Sequence, residues 1–146
     1  MNNHSIPKRK KKIIELRVNR KMRSLVDELH WKSIKYLTDN YNTILIGDMS
    51  SESISNNKSS KLNKKTKRKS YGLSFYRFKE RLKYKGSIKG NNILIIDESY
   101  TSKTCSFCSE IHSNLGSNKI FNCPCCDLLI DRDLNGALGI LLKSLN

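Results

Sequence analysis

The chain has few acidic residues and no long apolar stretch. Asp and Glu number 13 against 28 Lys and Arg, giving a net charge of +15. That imbalance says little about fold, but it favours a polyanionic partner. No apolar run approaches the roughly 18 residues of a membrane span, which excludes a spanning helix. No stretch has the form of a secretory signal peptide. The expectation is a soluble, intracellular chain with no membrane partner, in a compartment where thiols stay reduced. Apolar residues are also sparse in the opening and the middle. In 146 residues, one ordinary domain's length, the core must therefore come from a few short segments and from any metal site.

What is present in strength is cysteine at regular spacing. Cys105-Ser106-Phe107-Cys108 and Cys123-Pro124-Cys125-Cys126 form two Cys-x-x-Cys knuckles. Four thiolates so spaced can stand at the corners of a tetrahedron, as structural Zn²⁺ requires. Gly116 and small polar residues between the pairs allow a hairpin. The regular spacing picks Cys123 and Cys126, leaving Cys125 as the odd thiol. Disulfides or free thiols are the alternatives, and His112 could replace one thiolate, although a hairpin position suits it better.

In chain order, residues 1–12 form a basic amino terminus, expected to be disordered at its start. Its run Lys8 to Lys12 suits a nuclear address, a nucleic-acid contact or simply a solvated helix start. From Ile13 to about Asp39 apolar residues recur at three- and four-residue steps (Met22, Leu25, Val26, Leu29, Tyr36, Leu37). This predicts one long amphipathic helix with a possible break near Asn19, and with His30 and Trp31 near the packed face. Thr43 to Asp48 reads as a strand buried on both faces and ending in Gly47-Asp48. Residues 49–70 form a Ser-, Asn- and then Lys-rich insertion, expected to stay disordered until it meets a polyanion. Lys58, Lys61, Lys64, Lys65, Lys67, Arg68 and Lys69 are its candidate phosphate contacts. A second helix is predicted over Tyr71 to Lys85, a turn between Gly86 and Gly90, and a second buried strand over Asn92 to Ile96, followed by Asp97-Glu98. After the cysteine hairpin, Leu134, Ala137, Leu138, Leu141, Leu142 and Leu145 predict a helix that packs leucines on the sheet. Asp131 or Asp133 suits its N-cap.

The combination of Thr101-Ser-Lys-Thr-Cys105-Ser-Phe-Cys108, Phe121-Asn-Cys123-Pro-Cys-Cys126 and Asp131-Arg-Asp133-Leu-Asn135-Gly-Ala137 resembles the carboxyl-terminal half of TnpB-type (OrfB) transposon nucleases, including their Fanzor relatives. The resemblance implies an α/β fold, a partial RNase H-like (RuvC-like) domain with an inserted zinc ribbon. It divides the chain into a partial core at 13–100 with the basic insertion at 49–70, a ribbon at 101–130 and a closing segment at 131–146. It implies structural Zn²⁺ on Cys105, Cys108, Cys123 and Cys126, with Mg²⁺ at an acidic cluster for DNA cleavage directed by a guide RNA. Two such ions about 4 Å apart would stabilise the attacking and leaving oxygens, and carboxylates are the hard ligands Mg²⁺ prefers.

By the same resemblance, the last carboxylate falls on Asp133, with Asp131 just upstream as a lesser candidate; Asp48 is another lesser candidate, from its place at the carboxyl end of its strand. Gly47 stands where the family usually has its middle glutamate, and Fanzor-like members take that ligand from the next strand, here Glu98. The first aspartate comes in the family from a strand before the long helix, and no strand precedes Ile13 here. The expectation is therefore a DNA- or RNA-binding zinc protein, truncated or one half of a split nuclease whose other half is a separate chain. A non-catalytic nucleic-acid-binding protein is the alternative. A zinc module for protein partners is disfavoured by the charge.

Overall fold

The computed structural model describes residues 6–48, 63–113, 115, 116 and 118–145. Helix α1 spans Lys8–Asn40, strand β1 Thr43–Gly47, helix α2 Lys64–Gly72 and helix α3 Phe75–Lys89. Strand β2 spans Asn92–Ile96, β3 Ile120–Asn122, β4 Leu129–Asp131, and helix α4 Arg132–Ser144. No described helix is long and apolar enough to cross a membrane. The fold is mixed α/β.

β1 and β2 are parallel, with Ile44 opposite Ile93 and Gly47 opposite Ile96. Their β-branched and leucine runs suit a sheet covered on both faces. Side chains alternate along a strand. One face therefore carries Ile44, Ile46, Ile93 and Ile95, which face α1 and α3. Ile34 and Leu82, both fully buried, pack there on Ile44, with Leu37, Phe78, Ile46 and Ile93 around them. The other face carries Leu45, Gly47, Leu94 and Ile96 beneath α4. Gly86 allows α3 to approach this closely, since a Cβ there would lie 2.6 Å from Ile93 Cγ1.

Several expectations change. α1 is continuous through Asn19. Its packed stripe is His30, Ile34 and Thr38 rather than Met22, Leu25 and Leu29, which are more than half exposed, and Trp31 is 43 % exposed. The reason is that only the last third of α1 lies over the sheet. The basic insertion is not uniformly without structure: Lys64–Gly72 is helical, because Asn63 Oδ1 accepts from Thr66 N at 2.8 Å and caps its first turn. Residues 49–62, with Lys58 and Lys61, lie outside the described residues. α3 begins at Phe75 rather than Tyr71 and continues through Gly86. It ends at Gly90, whose φ of 75° is the left-handed conformation glycine adopts without penalty.

The leucine stripe of α4 is also placed differently. Leu134, Leu141, Leu142 and Leu145 are 42–74 % exposed. The packed side is instead Asn135, Gly136, Gly139 and Ile140. A Cβ at Gly139 would come within 3.1 Å of Thr101, and one at Gly47 within 3.2 Å of Ile140 Cδ1. Small residues bring this helix down onto backbone, so its bulkier leucines point away.

Candidate metal centre and acidic strand ends

The two knuckles are built alike. Ser109 N donates to Cys105 O at 3.0 Å and Asp127 N to Cys123 O at 3.2 Å. Cys105 N donates to Glu110 O and Cys123 N to Leu128 O. Ser109 and Asp127, each four residues past the first cysteine of its pair, both have positive φ, 63° and 57°. Asp tolerates that conformation better than most side chains. β3 and β4 pair antiparallel and join the knuckles, with Phe121 opposite Ile130. Phe121 is fully buried against Cys105, Cys123 and Leu115.

This geometry brings Cys105, Cys108, Cys123 and Cys126 together, with all four Sγ atoms within 4.8 Å of one another. Cys105 to Cys126 is 3.7 Å and Cys108 to Cys123 is 3.5 Å. Tetrahedral Zn–S bonds of about 2.3 Å place sulfurs about 3.8 Å apart, so the cluster fits an ion of that class. Cys125 is exposed and outside it. His112 also stays outside and packs edge-on against Phe121 at 6.0 Å. Burial raises the Cys123 thiol, but the backbone N–H groups of Cys126 and Cys125 and the adjoining thiols outweigh it and bring it down to about 7. Cys108 goes the other way: the Glu110 backbone lowers it, while burial and the three neighbouring thiols raise it further.

Asn135, fully buried, has a role that its place in the sequence motif does not reveal. Its Oδ1 accepts from Ser106 N at 3.0 Å, and its Nδ2 donates to Thr104 O at 2.8 Å. It ties the first knuckle to α4. The signal available is an amide directly after Asp131-Arg132-Asp133-Leu134, in a helix otherwise rich in leucine. Arg132 adds a second tie, from Nη1 to Gly116 O at 3.0 Å.

At the other end of α4 are the carboxylates that follow the parallel strands. Asp48 follows β1, and Asp97 and Glu98 follow β2, so all three emerge at one edge of the sheet. Asp48 N donates to Ile96 O at 2.8 Å. Asp48 is ion-paired with Lys79, whose side chain is largely buried. Lys143 donates to Asp97 O, Asp97 Oδ2 and Ser99 O. The carboxylate of Glu98 lies over Gly47, in the space a side chain at that position would need. Burial raises the Glu98 carboxyl, Asp48 raises it further, and Lys79 partly opposes them. Glu98 also lines a mostly apolar cavity of about 360 Å³ between α1, β1 and α3, beside His30, Phe78 and Lys79.

Asp131 is the N-cap of α4: its Oδ1 accepts from Asp133 N at 2.9 Å and Leu134 N at 3.1 Å. Asp133 is exposed in the first turn. It stands seven residues, about 10 Å along the axis, before Ile140, the residue that meets Gly47. Glu98 and Asp48 are brought together, and Asp133 stands in the first turn of α4 on the same helix face as Ile140. Among the described residues the four cysteines are the one set of three or more His, Cys, Asp or Glu residues close enough to share an ion. Of the basic residues, Lys65, Lys67, Arg68 and Lys69 line up on α2, beside the exposed first half of α1.

Comparison with known proteins agrees with this geometry. The family described as "Cas12f1-like, TNB domain" matches residues 75–140. The TnpB-like protein L79 of Acanthamoeba polyphaga mimivirus is 36% identical over 136 residues, covering 92% of this chain and 26% of that protein. The CRISPR-associated endodeoxyribonuclease Cas12f1 of Sulfoacidibacillus thermotolerans is 31% identical over 74 residues, half of this chain and 18% of that protein. A cryo-EM structure of a Cas12f1-sgRNA-target DNA complex has the same fold over 88% of this chain and 36% of its own, with a TM-score of 0.61 at 19% identity. The chain resembles a segment of TnpB-type proteins and spans about a quarter of the length of the curated relative L79.

Proposed function

We propose that this TnpB-type segment is a zinc-ribbon nucleic-acid-binding unit of a RuvC-like nuclease, holding structural Zn²⁺ on Cys105, Cys108, Cys123 and Cys126. The observation that carries the reading is the thiol cluster, tied through Asn135 to a helix that meets Gly47 at Ile140. Zinc bound there would supply no reaction chemistry; it would fix the hairpin on α4. The boundaries that follow are a partial RuvC-like core over 13–100, the ribbon over 101–130 and the closing segment over 131–146. The net charge of +15 supports DNA and a guide RNA as partners, the polyanions named for the solved Cas12f1 complex.

Glu98 and Asp133 are the proposed ligands for Mg²⁺, with Asp131 and Asp48 as lesser contributors. The residues described fit such an ion incompletely, since Asp48 is neutralised by Lys79 and Asp131 is engaged as a cap. The Glu98 carboxylate, raised by burial, is poised to bind either a proton or a cation. A third carboxylate, on a strand of another segment or a separate chain, would complete the set.

The same engagement of Asp48, Asp97 and Asp131 favours a second reading, a binding protein without cleavage. One experiment separates the two. The chain is assayed on labelled DNA with Mg²⁺ or Mn²⁺, alone and with the amino-terminal portion of a TnpB-like relative supplied as a second chain. Cleavage that depends on both chains and is lost in Glu98→Gln supports the nuclease unit. Tight binding with no cleavage in either case supports the binding protein. An absence of zinc from the purified chain sinks both.

A further inference from the structure

We infer that the groove between α1 and α2 binds a single strand of nucleic acid, with phosphates on its cationic rim and the sugars and bases on an apolar floor. This rests on the nucleic-acid reading above and adds the place, the α1 wall and the strandedness. The groove encloses about 670 Å³. Arg23 lines it from α1, and Lys65, Arg68 and Lys69 line it from α2, over a floor of Met22, Val26 and Leu73.

The α2 wall is ordered at its start and tied to α1 at its end. Asn63 caps its start. At its end the buried His30 meets Leu73 O through Nε2 at 2.9 Å. The other ring nitrogen, Nδ1, is 3.3 Å from Arg81 Nη1, which can only donate, so Nδ1 accepts and Nε2 carries the proton that reaches Leu73. α2 is therefore fixed to α1 at Leu73, and the groove opens from there toward the basic start of α1.

Among the described residues its cations are weakly partnered at most. Among the described residues, Arg23, Lys65 and Lys69 have no carboxylate within ion-pair distance. Arg68 has Glu15 at 3.8 Å, with both side chains mostly exposed, a geometry that contributes little. Four like charges along one cleft repel, and a polyanion relieves that repulsion. Segment 49–62, which joins the groove at Asn63, carries Glu52 against Lys58 and Lys61, so its charge has the wrong sign to serve. The floor decides the strandedness. A duplex presents its phosphates outward and would leave Met22, Val26 and Leu73 facing water. An extended strand can lay sugars and base edges on them while its backbone follows the rim.

The test uses the full 146-residue chain, fluorescence anisotropy, a labelled oligo-dT strand and a hairpin duplex with the same number of phosphates. The variant Arg23→Gln/Lys65→Gln/Lys69→Gln changes three exposed side chains. On oligo-dT its plot of log affinity against log salt should become less steep by about 2, at roughly 0.7 per phosphate contact on a single strand. The hairpin slope should change by less. The control Lys32→Gln/Lys35→Gln/Lys83→Gln removes the same charge from residues already paired within their helices, and should leave the oligo-dT slope unchanged. If circular dichroism shows the triple variant to have lost helix, Lys69→Gln alone carries the test, with a change of about 0.7. An unchanged slope in the groove variant, an equal change in the control, or a larger change on the hairpin overturns the groove assignment and leaves the nucleic-acid reading standing. Failure of the intact chain to bind either probe overturns both.

Discussion

The carboxylate of Glu98, on the turn after β2, fills the space above Gly47 at the end of β1. Gly47 ends one parallel strand, Glu98 stands two residues past the end of its neighbour, and one side chain is provided for both positions. Gly47→Ala should therefore displace Glu98 and press on Ile140, costing about 1–3 kcal/mol by overpacking. Chemical denaturation of Gly47→Ala, Glu98→Ala and the double variant checks this. The double variant should recover most of the loss, and strict additivity would show that the two do not meet.

Zinc removal should be felt first at the hairpin. Structural zinc in finger peptides is worth roughly 10–16 kcal/mol in apparent binding free energy, as much as a small domain's whole stability. Cys123→Ser should abolish stoichiometric zinc, whereas Cys125→Ser should retain it, as measured by elemental analysis. Chelation should remove the slow-exchanging amides of β3 and β4 before those of β1 and β2.

Asn135→Ala should be costly although it touches no metal. It removes the partner of the Ser106 N–H and of the Thr104 carbonyl, at up to about 1–3 kcal/mol for each group left unsatisfied. Denaturant midpoints give the cost. Faster hydrogen exchange at the Ser106 amide would locate it, and protection equal to wild type there would contradict the clamp.

The pH dependence of stability should contain a contribution from Asp27. The hydrogen bond from Arg81, at 2.7 Å, holds its carboxyl below the ordinary 3.8, with Arg77 adding to the effect and desolvation opposing it. A lowered folded-state pKa stabilises fully above the unfolded value and is lost as pH falls through the folded one. Asp27→Asn should thus flatten the acid limb of the stability curve below about pH 4, where the ordinary carboxylate titrates, and reduce stability at neutral pH. Equilibrium unfolding from acid to neutral pH checks the sign.

The parts legible in sequence are those with a short, local code. The two parallel strands follow from unbroken apolar runs, and the thiol set follows from spacing alone. Cys125 falls outside it because Cys-x-x-Cys turns fix which sulfurs converge. The choice of helix face is not legible in the same way. Periodicity shows that α1 and α4 have apolar stripes but not how far a partner extends, so spacing points Leu29 and Leu141 inward where the packing falls to Ile34 and Gly139. Composition likewise hides the helix at Lys64–Gly72, because a single cap, Asn63, outweighs a polar run. Asp133 and Glu98 are legible only through a shared motif order, because neither stands in a local pattern that would mark it as a ligand.

That helix has a thermodynamic consequence. Its thirteen residues, about 20 Å in all, begin at the Asn135 clamp and end where Lys143 grips the Asp97–Ser99 turn. An ion in the thiolate cage and an ion or proton at Glu98 would therefore bias the position of one rigid rod. By reciprocity, whatever loading the cage does to affinity at Glu98, loading Glu98 must do to the cage by the same factor.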